Sequence, residues 1–218
     1  MARSIAIDGP AGAGKSTIAR LVAKELQAIY IDTGAMYRAM ALYLLRNQVD
    51  VEDAEAVKHC CETADITISF AEDGEQQVIL NGENVNGLIR TQEVSNMASV
   101  SSAKKDVRVK LVDLQRKLAQ DHDVVMDGRD IGTHVLPDAN PKIFLTASSA
   151  VRAKRRYDEM VAKGEQCDLQ EIEREIIERD ERDRNREISP LCQAEDAILL
   201  DTSDMTIEQV KDKILSLI

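Results

Sequence analysis

The stretch GPAGAGKS, from Gly9 to Ser16, decides the fold of this chain. It matches the pattern GxxxxGK(S/T), follows the short apolar run SIAID of Ser4 to Asp8, and precedes apolar residues at helical spacing. A glycine-rich loop between a strand and a helix points its backbone N–H groups inward, where the positive end of the helix dipole adds to them. The sequence therefore predicts a phosphate-binding loop in an α/β fold.

The last residues of this loop carry the chemistry of the motif. Lys15 is expected to reach the β- and γ-phosphates of a nucleoside triphosphate, and the Ser16 hydroxyl to bind Mg²⁺. The alternative is a glycine-rich turn that only caps a helix, but the strand before it and the helix after it favour nucleotide binding. The loop residues predicted to bind ATP are Gly9, Pro10, Ala11, Gly12, Ala13, Gly14, Lys15, Ser16 and Thr17.

The composition indicates one globular domain and argues against several functions. With 218 residues the chain is long enough for one core with elaborations. A net charge of −11 disfavours a nucleic-acid backbone as the main partner, and 3% aromatic residues leave little for base stacking. No uncharged apolar run approaches the roughly 20 residues that span a bilayer, and the start does not resemble a signal peptide. We therefore expect a cytoplasmic protein that binds small molecules, with no nucleic-acid or membrane partner. A monomer is expected as well, although the composition does not fix the oligomeric state.

Five short apolar runs predict the strands of one sheet, and helical patterns separate them. Such alternation implies βαβ crossovers and a mostly parallel sheet flanked by helices on both faces. The stretch Thr206 to Ile218 is predicted to close the chain as an amphipathic helix with Thr206 as its N-cap. The predicted strands are Ile5 to Asp8, Ala28 to Ile31, Val124 to Asp127, Lys142 to Leu145 and Ala197 to Leu200.

Two stretches depart from this alternation. Asp65 to Gly87 alternates apolar and polar residues and contains the turn signal Asn81-Gly82, which predicts small antiparallel strands inserted into the core. Ser148 to Glu187 is helical in pattern but broken around Lys163 to Asp168, which predicts a helical hairpin that acts as a mobile lid. Both are expected to elaborate a single domain.

The third predicted strand ends in the charged sequence VVMDGRDIGT. Asp127, Arg129 and Asp130 therefore emerge at the carboxyl edge of the sheet, where ligands of open α/β folds bind. Asp127 is expected to hold Mg²⁺ beside the phosphate-binding loop, directly or through water. The alternative is a turn whose charges pair with one another, and the neighbouring loop favours the functional interpretation.

Two further stretches bring arginines towards this edge. In IDTGAMYR, Ile31 to Arg38, a helix capped by Thr33 would place Arg38 about one and a half turns in, facing an anion. The stretch ERDERDRNR, Glu178 to Arg186, predicts one charged helical face. A solvated charged surface is the alternative for both, but cations above a phosphate site suit phosphoryl transfer. The residues on the predicted face are Arg179, Arg182, Asp183 and Arg186.

Together these motifs resemble those of the bacterial cytidylate kinases. They occur in the family's order, as GPAGAGKS, DTGAMYR, IRTQEVSNMAS (Ile89 to Ser99), DGRDIGT, VLPDA, KIFLTAS and ERDERDRNR. The resemblance covers essentially the whole chain. It implies ATP-dependent phosphorylation of CMP and dCMP to the diphosphates with Mg²⁺. It also implies the nucleoside monophosphate kinase fold, with a core, a monophosphate-binding region at 33–100 that the small sheet at about 65–87 enlarges, and a lid at 148–187.

The resemblance implies roles for individual residues as well. Arg155 is expected near the adenine of ATP. The residues implied around the phosphates are Thr33, Arg38, Arg129 and Arg186. Those implied for the rest of CMP are Ser99, Arg108 and Asp130 at the cytosine and Arg179 and Asp183 at the sugar, with Tyr37 and Asp127 completing the set. The residues expected to be catalytic are Lys15, Arg129, Arg179 and Arg186.

Two other functions remain open from the sequence. Another small-molecule kinase with this loop would act on UMP or AMP in place of CMP. A GTP-dependent switch protein is a different class, but the chain contains no NKxD tetrad to read guanine, and an arginine-rich lid serves transfer better than switching.

Overall fold

The structure is a computed structural model that describes residues 2–72, 74–120 and 122–218. None of the helices in these ranges is long and apolar enough to cross a membrane. In chain order the elements are β1 (Ser4–Asp8), α1 (Lys15–Glu25), β2 (Ile29–Asp32), α2 (Thr33–Arg46), α3 (Ala54–Thr63), β3 (Ile66–Phe70), β4 (Gln76–Leu80), β5 (Glu83–Asn84), α4 (Gln92–Ser101), α5 (Lys105–Gln120), β6 (Val124–Gly128), a π-helical turn (Ile131–Val135), β7 (Lys142–Thr146), α6 (Ser149–Ala162), α7 (Leu169–Arg184), β8 (Ile198–Asp201) and α8 (Ile207–Leu215).

The main sheet has five strands in the order β2-β6-β1-β7-β8. Every pairing in it is parallel, so each strand ends at the same edge. The five strands predicted from the apolar runs are confirmed to within one residue at each end. The predicted fold class, a mostly parallel sheet flanked by helices, is confirmed with them.

Helices cover both faces of this sheet because alternate residues of a strand point in opposite directions. On one face Ala6 packs in a cluster with Met36 of α2 and with residues of α3, α4 and α5. On the other face Ile7 packs with Val22 of α1 and Ile214 of α8. Both faces of the sheet are therefore covered by helices, and its carboxyl edge is left for loops.

The inserted antiparallel strands are confirmed as a small sheet in the order β3-β4-β5. Asn81 and Gly82 have φ of 50° and 83° and make the turn between β4 and β5, as their sequence signal indicates. The small sheet meets the main one through Gln76 of β4. Its side-chain oxygen accepts from the Asp32 N–H at 2.9 Å, and its amide nitrogen donates to the Asp32 carbonyl at 3.1 Å.

Of the two helix N-caps predicted from the sequence, one is confirmed and the other is wrong. Thr206 does cap α8, in a reciprocal capping box with Gln209. The prediction that Thr33 caps α2 is wrong, because the Asp32 side chain accepts the hydrogen bond from Ala35 N at 2.9 Å. Thr33 is instead the first helical residue. A carboxylate at the N-terminus also interacts with the helix dipole, which favours Asp32 over its neighbour.

The predicted helical hairpin consists of α6 and α7, which enclose a small cluster of Ala153, Ile172 and Ile176. The prediction that one face of a single helix carries the four charged residues of 178–186 is wrong. The helix ends at Arg184, so Arg186 lies beyond it, and Arg182 is exposed. The movement of this hairpin as a lid stays a prediction.

A substitution at Gly9 tests the close packing of the phosphate-binding loop against β7. Its φ is +149°, and an added Cβ would lie 1.9 Å from the Leu145 carbonyl oxygen in β7. We expect Gly9→Ala to lower the free energy of unfolding by about 3 kcal/mol, because neither backbone can move away. Urea unfolding measures this, with Gly87→Ala as control, since a Cβ there meets nothing within 4 Å. Equal midpoints for the two variants would contradict this packing.

Candidate active site

A cavity of about 1140 Å³ opens at the carboxyl edge of the main sheet. This volume exceeds the roughly 300–1,000 Å³ of a typical small-molecule pocket. Gly9 and Pro10 do not line it. The predicted site residues that do are Ala11, Gly12, Ala13, Gly14, Lys15, Ser16, Thr17, Thr33, Tyr37, Arg38, Ser99, Arg108, Asp127, Arg129, Asp130, Arg155, Arg179, Asp183 and Arg186.

The phosphate-binding loop enters α1 through Gly14, whose φ of +85° is in the left-handed region. Lys15 is the first helical residue, and its ammonium donates to the Pro10 carbonyl at 2.8 Å across the loop. Burial lowers the pKa of Lys15, and the nearby positive charge of Arg129 lowers it further. A nearby anion would raise the pKa of Lys15 and favour its charged form, so the loop is suited to bind negative charge.

Asp127 is the carboxylate at the centre of this edge, and it is buried at the end of β6. Ser16 Oγ donates to its Oδ2 at 3.0 Å, and the Tyr30 hydroxyl donates to its Oδ1 at 2.9 Å. Its main-chain oxygen accepts from the Thr33 hydroxyl at 2.7 Å. Burial raises the pKa of Asp127, as does the negative charge of Asp32.

The oxygen atoms of Ser16 and Asp127 fit a Mg²⁺ site in which phosphate oxygens would be further ligands. Both supply oxygen atoms, both line the cavity, and they already lie within hydrogen-bond distance. Among the residues that the structure describes, no cluster of three or more His, Cys, Asp or Glu side chains is arranged to hold a metal. Mg²⁺ commonly takes one or two protein oxygens and fills its shell with water and phosphate oxygens.

A second group of charges joins α7 to the end of β6. Arg129 Nε donates to Asp183 at 2.9 Å, and Arg186 lies 3.5 Å from the same carboxylate. Arg179, one turn before Asp183, has no hydrogen bond from its buried Nε to any described residue. Burial lowers the pKa of Arg179 to about 10, and the charge of Arg129 adds to this. Cations therefore crowd this part of the cavity although the whole chain is acidic.

The residues predicted to read a base lie together at the α4 and α5 side of the cavity. Arg108 and Asp130 form a buried ion pair, and the Arg108 guanidinium lies 5.8 Å from the centre of the Tyr37 ring. The Ser99 hydroxyl, the Tyr37 hydroxyl and Arg108 Nε are buried without a hydrogen-bond partner in the described ranges. Buried polar groups are rarely left unpaired, so these atoms indicate a polar ligand.

Arg155 and Arg38 lie at two further parts of the cavity. Arg155 donates to the Thr202 carbonyl at 2.7 Å, in a part also lined by Met205 and Ile207, where the mixed surface fits a planar base. Arg38 pairs with Asp32 at 3.0 Å, and its buried Nε has no partner among the described residues. The Asp32 contact was not expected from the sequence.

Asp8 is a second residue that sequence reasoning missed. It ends β1, and its two carboxylate oxygens accept from the main-chain N–H groups of Ile131 and Gly132 at 2.8 and 2.7 Å. These bonds hold the π-helical turn that directly follows Asp130. Burial raises the pKa of Asp8 to about 6 although both N–H groups lower it. An acidic residue at the end of a buried strand was the available signal.

Comparison with known proteins shows which family the chain matches. The family model described as cytidylate kinase matches residues 5–218. A protein named cytidylate kinase from Carboxydothermus hydrogenoformans is 51% identical over 214 residues, which cover 98% of this chain and 96% of the relative. The cytidylate kinase of Bacillus subtilis strain 168 is 50% identical over 212 residues, with 97% and 94% covered.

Solved structures confirm the fold, that of kinases with a phosphate-binding loop. The shikimate kinase of Bacteroides thetaiotaomicron superposes with a TM-score of 0.50 at 14% identity, over 99% of this chain and 97% of that one. At this identity the likeness concerns the arrangement of strands and helices alone.

The raised pKa of Asp8 predicts a pH dependence of stability. A carboxyl group that is protonated more readily when folded stabilises the fold below its unfolded pKa of 3.8, and this contribution is lost as the pH rises through about 6. The unfolding free energy of the wild type minus that of Asp8→Asn should therefore fall by about 2 kcal/mol between about pH 4.5 and about pH 7. Denaturant titrations at several pH values measure it. A difference that stays flat, or rises, would contradict the burial of a charged Asp8.

Proposed function

This chain belongs to the cytidylate kinase family, and from that membership we propose that it transfers the γ-phosphoryl group of ATP to CMP or dCMP. The products are ADP and the nucleoside diphosphate. The observation that carries the proposal is that the phosphate-binding loop and the buried Arg108–Asp130 pair line the same cavity. One ligand can thus be held by its phosphates and another by its base within reach of a common group of arginines.

In the proposed reaction an oxygen of the CMP phosphate attacks the γ-phosphorus of ATP. The bond from that phosphorus to the β,γ-bridging oxygen breaks, and the bridging oxygen leaves on ADP. Negative charge spreads over the transferring oxygens, so catalysis depends on fixed cations and on the exclusion of water. The cations that we assign to this task are Lys15, Arg129, Arg179 and Arg186.

Ser16 and Asp127 would hold Mg²⁺, directly or through water. When bound, the ion neutralises charge on the β- and γ-phosphates. The chain's own part is to keep the two oxygens in place, and Tyr30 contributes because its hydroxyl binds the Asp127 oxygen that Ser16 leaves free.

The Arg108–Asp130 pair supplies the selection of cytosine. Cytosine offers an amino donor at C4 and acceptors at N3 and O2, whereas uracil offers an acceptor at O4 and a donor at N3. Arg108 donates to Asp130 Oδ2, so Oδ1 is the atom we assign to the cytosine amino group, and Arg108 can donate to N3 or O2. A uracil would set its O4 lone pairs against the carboxylate.

The remaining residues are assigned by their place in the cavity. Thr33, Tyr37 and Arg38, within the monophosphate-binding region at 33–100, hold the CMP phosphate side, and Asp183 approaches the sugar. Arg155 takes the adenine side of ATP.

The hairpin at 148–187 closes over both ligands, and a bond of 2.9 Å from Arg156 of α6 to Gln92 of α4 supports such closure. All these residues come from one chain, so the reaction needs only a monomer, and we propose that it takes place in the cytoplasm.

A coupled assay of ADP release with CMP, dCMP, UMP and AMP tests the reaction. We expect fast turnover only with CMP and dCMP. Lys15→Met should lower kcat by about 100- to 1,000-fold, because a charge-assisted contact to the transferring group is lost. Lys24→Met, an exposed change on the same helix, is the control and should leave kcat unchanged.

Two results would contradict the proposal. A preference for UMP or AMP would indicate a different small-molecule kinase. Nucleotide turnover that is equally fast without any monophosphate would indicate a hydrolase or a switch protein.

Asp130→Asn tests the selection of the base. The amide can donate to the O4 of uracil, so the preference for CMP over UMP should shrink by about 1 to 3 kcal/mol, the value of one good base-edge contact. The measurement is the ratio of kcat/KM for CMP and UMP, with the exposed Asp138→Asn as control. If both variants keep the wild-type ratio, Asp130 does not read the base.

A further inference from the structure

Arg152 of α6 is buried, with 4% of its surface exposed, and each nitrogen of its guanidinium contacts a protein oxygen. Nε donates to the Ala147 carbonyl at 2.9 Å, and Nη1 donates to the Ala11 carbonyl at 2.8 Å. Nη2 lies 2.7 Å from the carboxylate of Asp180 in α7, which is 2% exposed. One side chain thus joins the end of β7, the phosphate-binding loop and α7.

The contact with the loop sets the direction of a phosphate-binding group. Because the carbonyl and the following N–H of a trans peptide point in opposite directions, the bond to the Ala11 oxygen also orients the Gly12 N–H. The two backbones are close: a Cβ on Gly12 would lie 3.3 Å from Arg152 Cβ. Arg152 therefore determines how the loop presents an N–H group to the cavity.

The contact with α7 sets the position of the predicted catalytic arginine. Asp180 directly follows Arg179, whose charge acts on Lys15. Arg179 is also repelled by Arg129. The Arg152–Asp180 pair ties the turn of α7 that carries Arg179 to the loop, so Arg179 is held at the cavity in spite of this repulsion.

Stability alone does not explain such a pair. Removing two charges from water costs several kcal/mol for each ion, and replacing a buried pair by apolar side chains is often neutral or stabilising. What apolar side chains cannot supply is a set of directed bonds from one planar group to three segments.

We propose that Arg152 is a positioning residue, which holds Arg179 at the transferring phosphoryl group by tying the phosphate-binding loop to Asp180. The inference rests on the proposed function. Each of the three nitrogens of Arg152 already contacts a protein atom, so the part we assign to this side chain is to position those partners.

The first test replaces both members of the pair, as Arg152→Met with Asp180→Leu. This variant keeps the site packed; removal of the buried charges offsets the loss of the bonds to the Ala147 and Ala11 carbonyls, so we expect a Tm close to that of the wild type. Its kcat should fall by about 10- to 100-fold, the cost of a misplaced catalytic group. The KM for CMP should change less than kcat, because Ser99, Arg108 and Asp130 lie on other elements and the sugar contact assigned to Asp183 is the part of the CMP site that lies on α7. Asp113→Asn, which breaks the exposed pair with Lys117, is the control.

The second test is a double-mutant cycle with Arg179→Lys. If the pair acts through Arg179, this substitution should cost much less in kcat when Arg152 and Asp180 are already replaced than it does in the wild type. Independent, multiplicative losses would overturn the proposal. So would a folded double variant with wild-type kcat, and so would a double variant that does not fold, because the pair would then serve the fold.

The failure of the two proposals can be told apart. A wild-type protein that does not phosphorylate CMP contradicts the proposed function. A wild-type protein that does so, with a double variant that is equally fast, contradicts only the role of Arg152.

Discussion

The structure of the site depends on the carboxylate of Asp127, which is buried at the end of β6. Its two carboxylate oxygens accept hydrogen bonds from Ser16 in α1 and Tyr30 in β2, and the main-chain oxygen of Asp127 accepts one from Thr33 in α2. A buried carboxylate needs such partners, since an unpaired one would be protonated or would destabilise the fold. The same bonds that satisfy Asp127 therefore fix the relative positions of the phosphate-binding loop and of the helix that begins the monophosphate-binding region.

Asp8 performs the corresponding task for the segment after β6. Its two bonds to the π-helical turn hold the backbone that carries Asp130, while Asp127 holds the backbone before it. The sequence DGRD between these anchors presents Arg129 and Asp130 into the cavity. Both anchors have raised pKa values because they are buried, so holding their charged carboxylates in place costs stability. A Mg²⁺ ion bound beside Asp127 would lower that cost, which couples ligand binding to the stability of the fold.

The main sheet could be predicted from the sequence because strands buried on both faces must be short continuous apolar runs. Local hydrogen bonds were harder to assign. Asp32 and Thr33 are adjacent and both can cap a helix, and only the structure shows that the Thr33 hydroxyl is used by the Asp127 carbonyl instead. The end of α7 carried no glycine or proline signal, so Arg186 was placed on a helix that stops at Arg184.

Phosphate recognition was predictable and its supporting contacts were not, for one physical reason. A phosphate is bound by successive N–H groups of one loop, so eight consecutive residues can encode the site. The groups that orient the loop come from distant segments: Asp180 is brought to Ala11 through Arg152, and Gln76 is brought to Asp32 through the edge of the sheet. Each is an ordinary charged or polar residue in its own stretch of sequence. Its role is created by the partner that the fold supplies, so such residues can be recognised only when the buried hydrogen bonds of the whole domain are known.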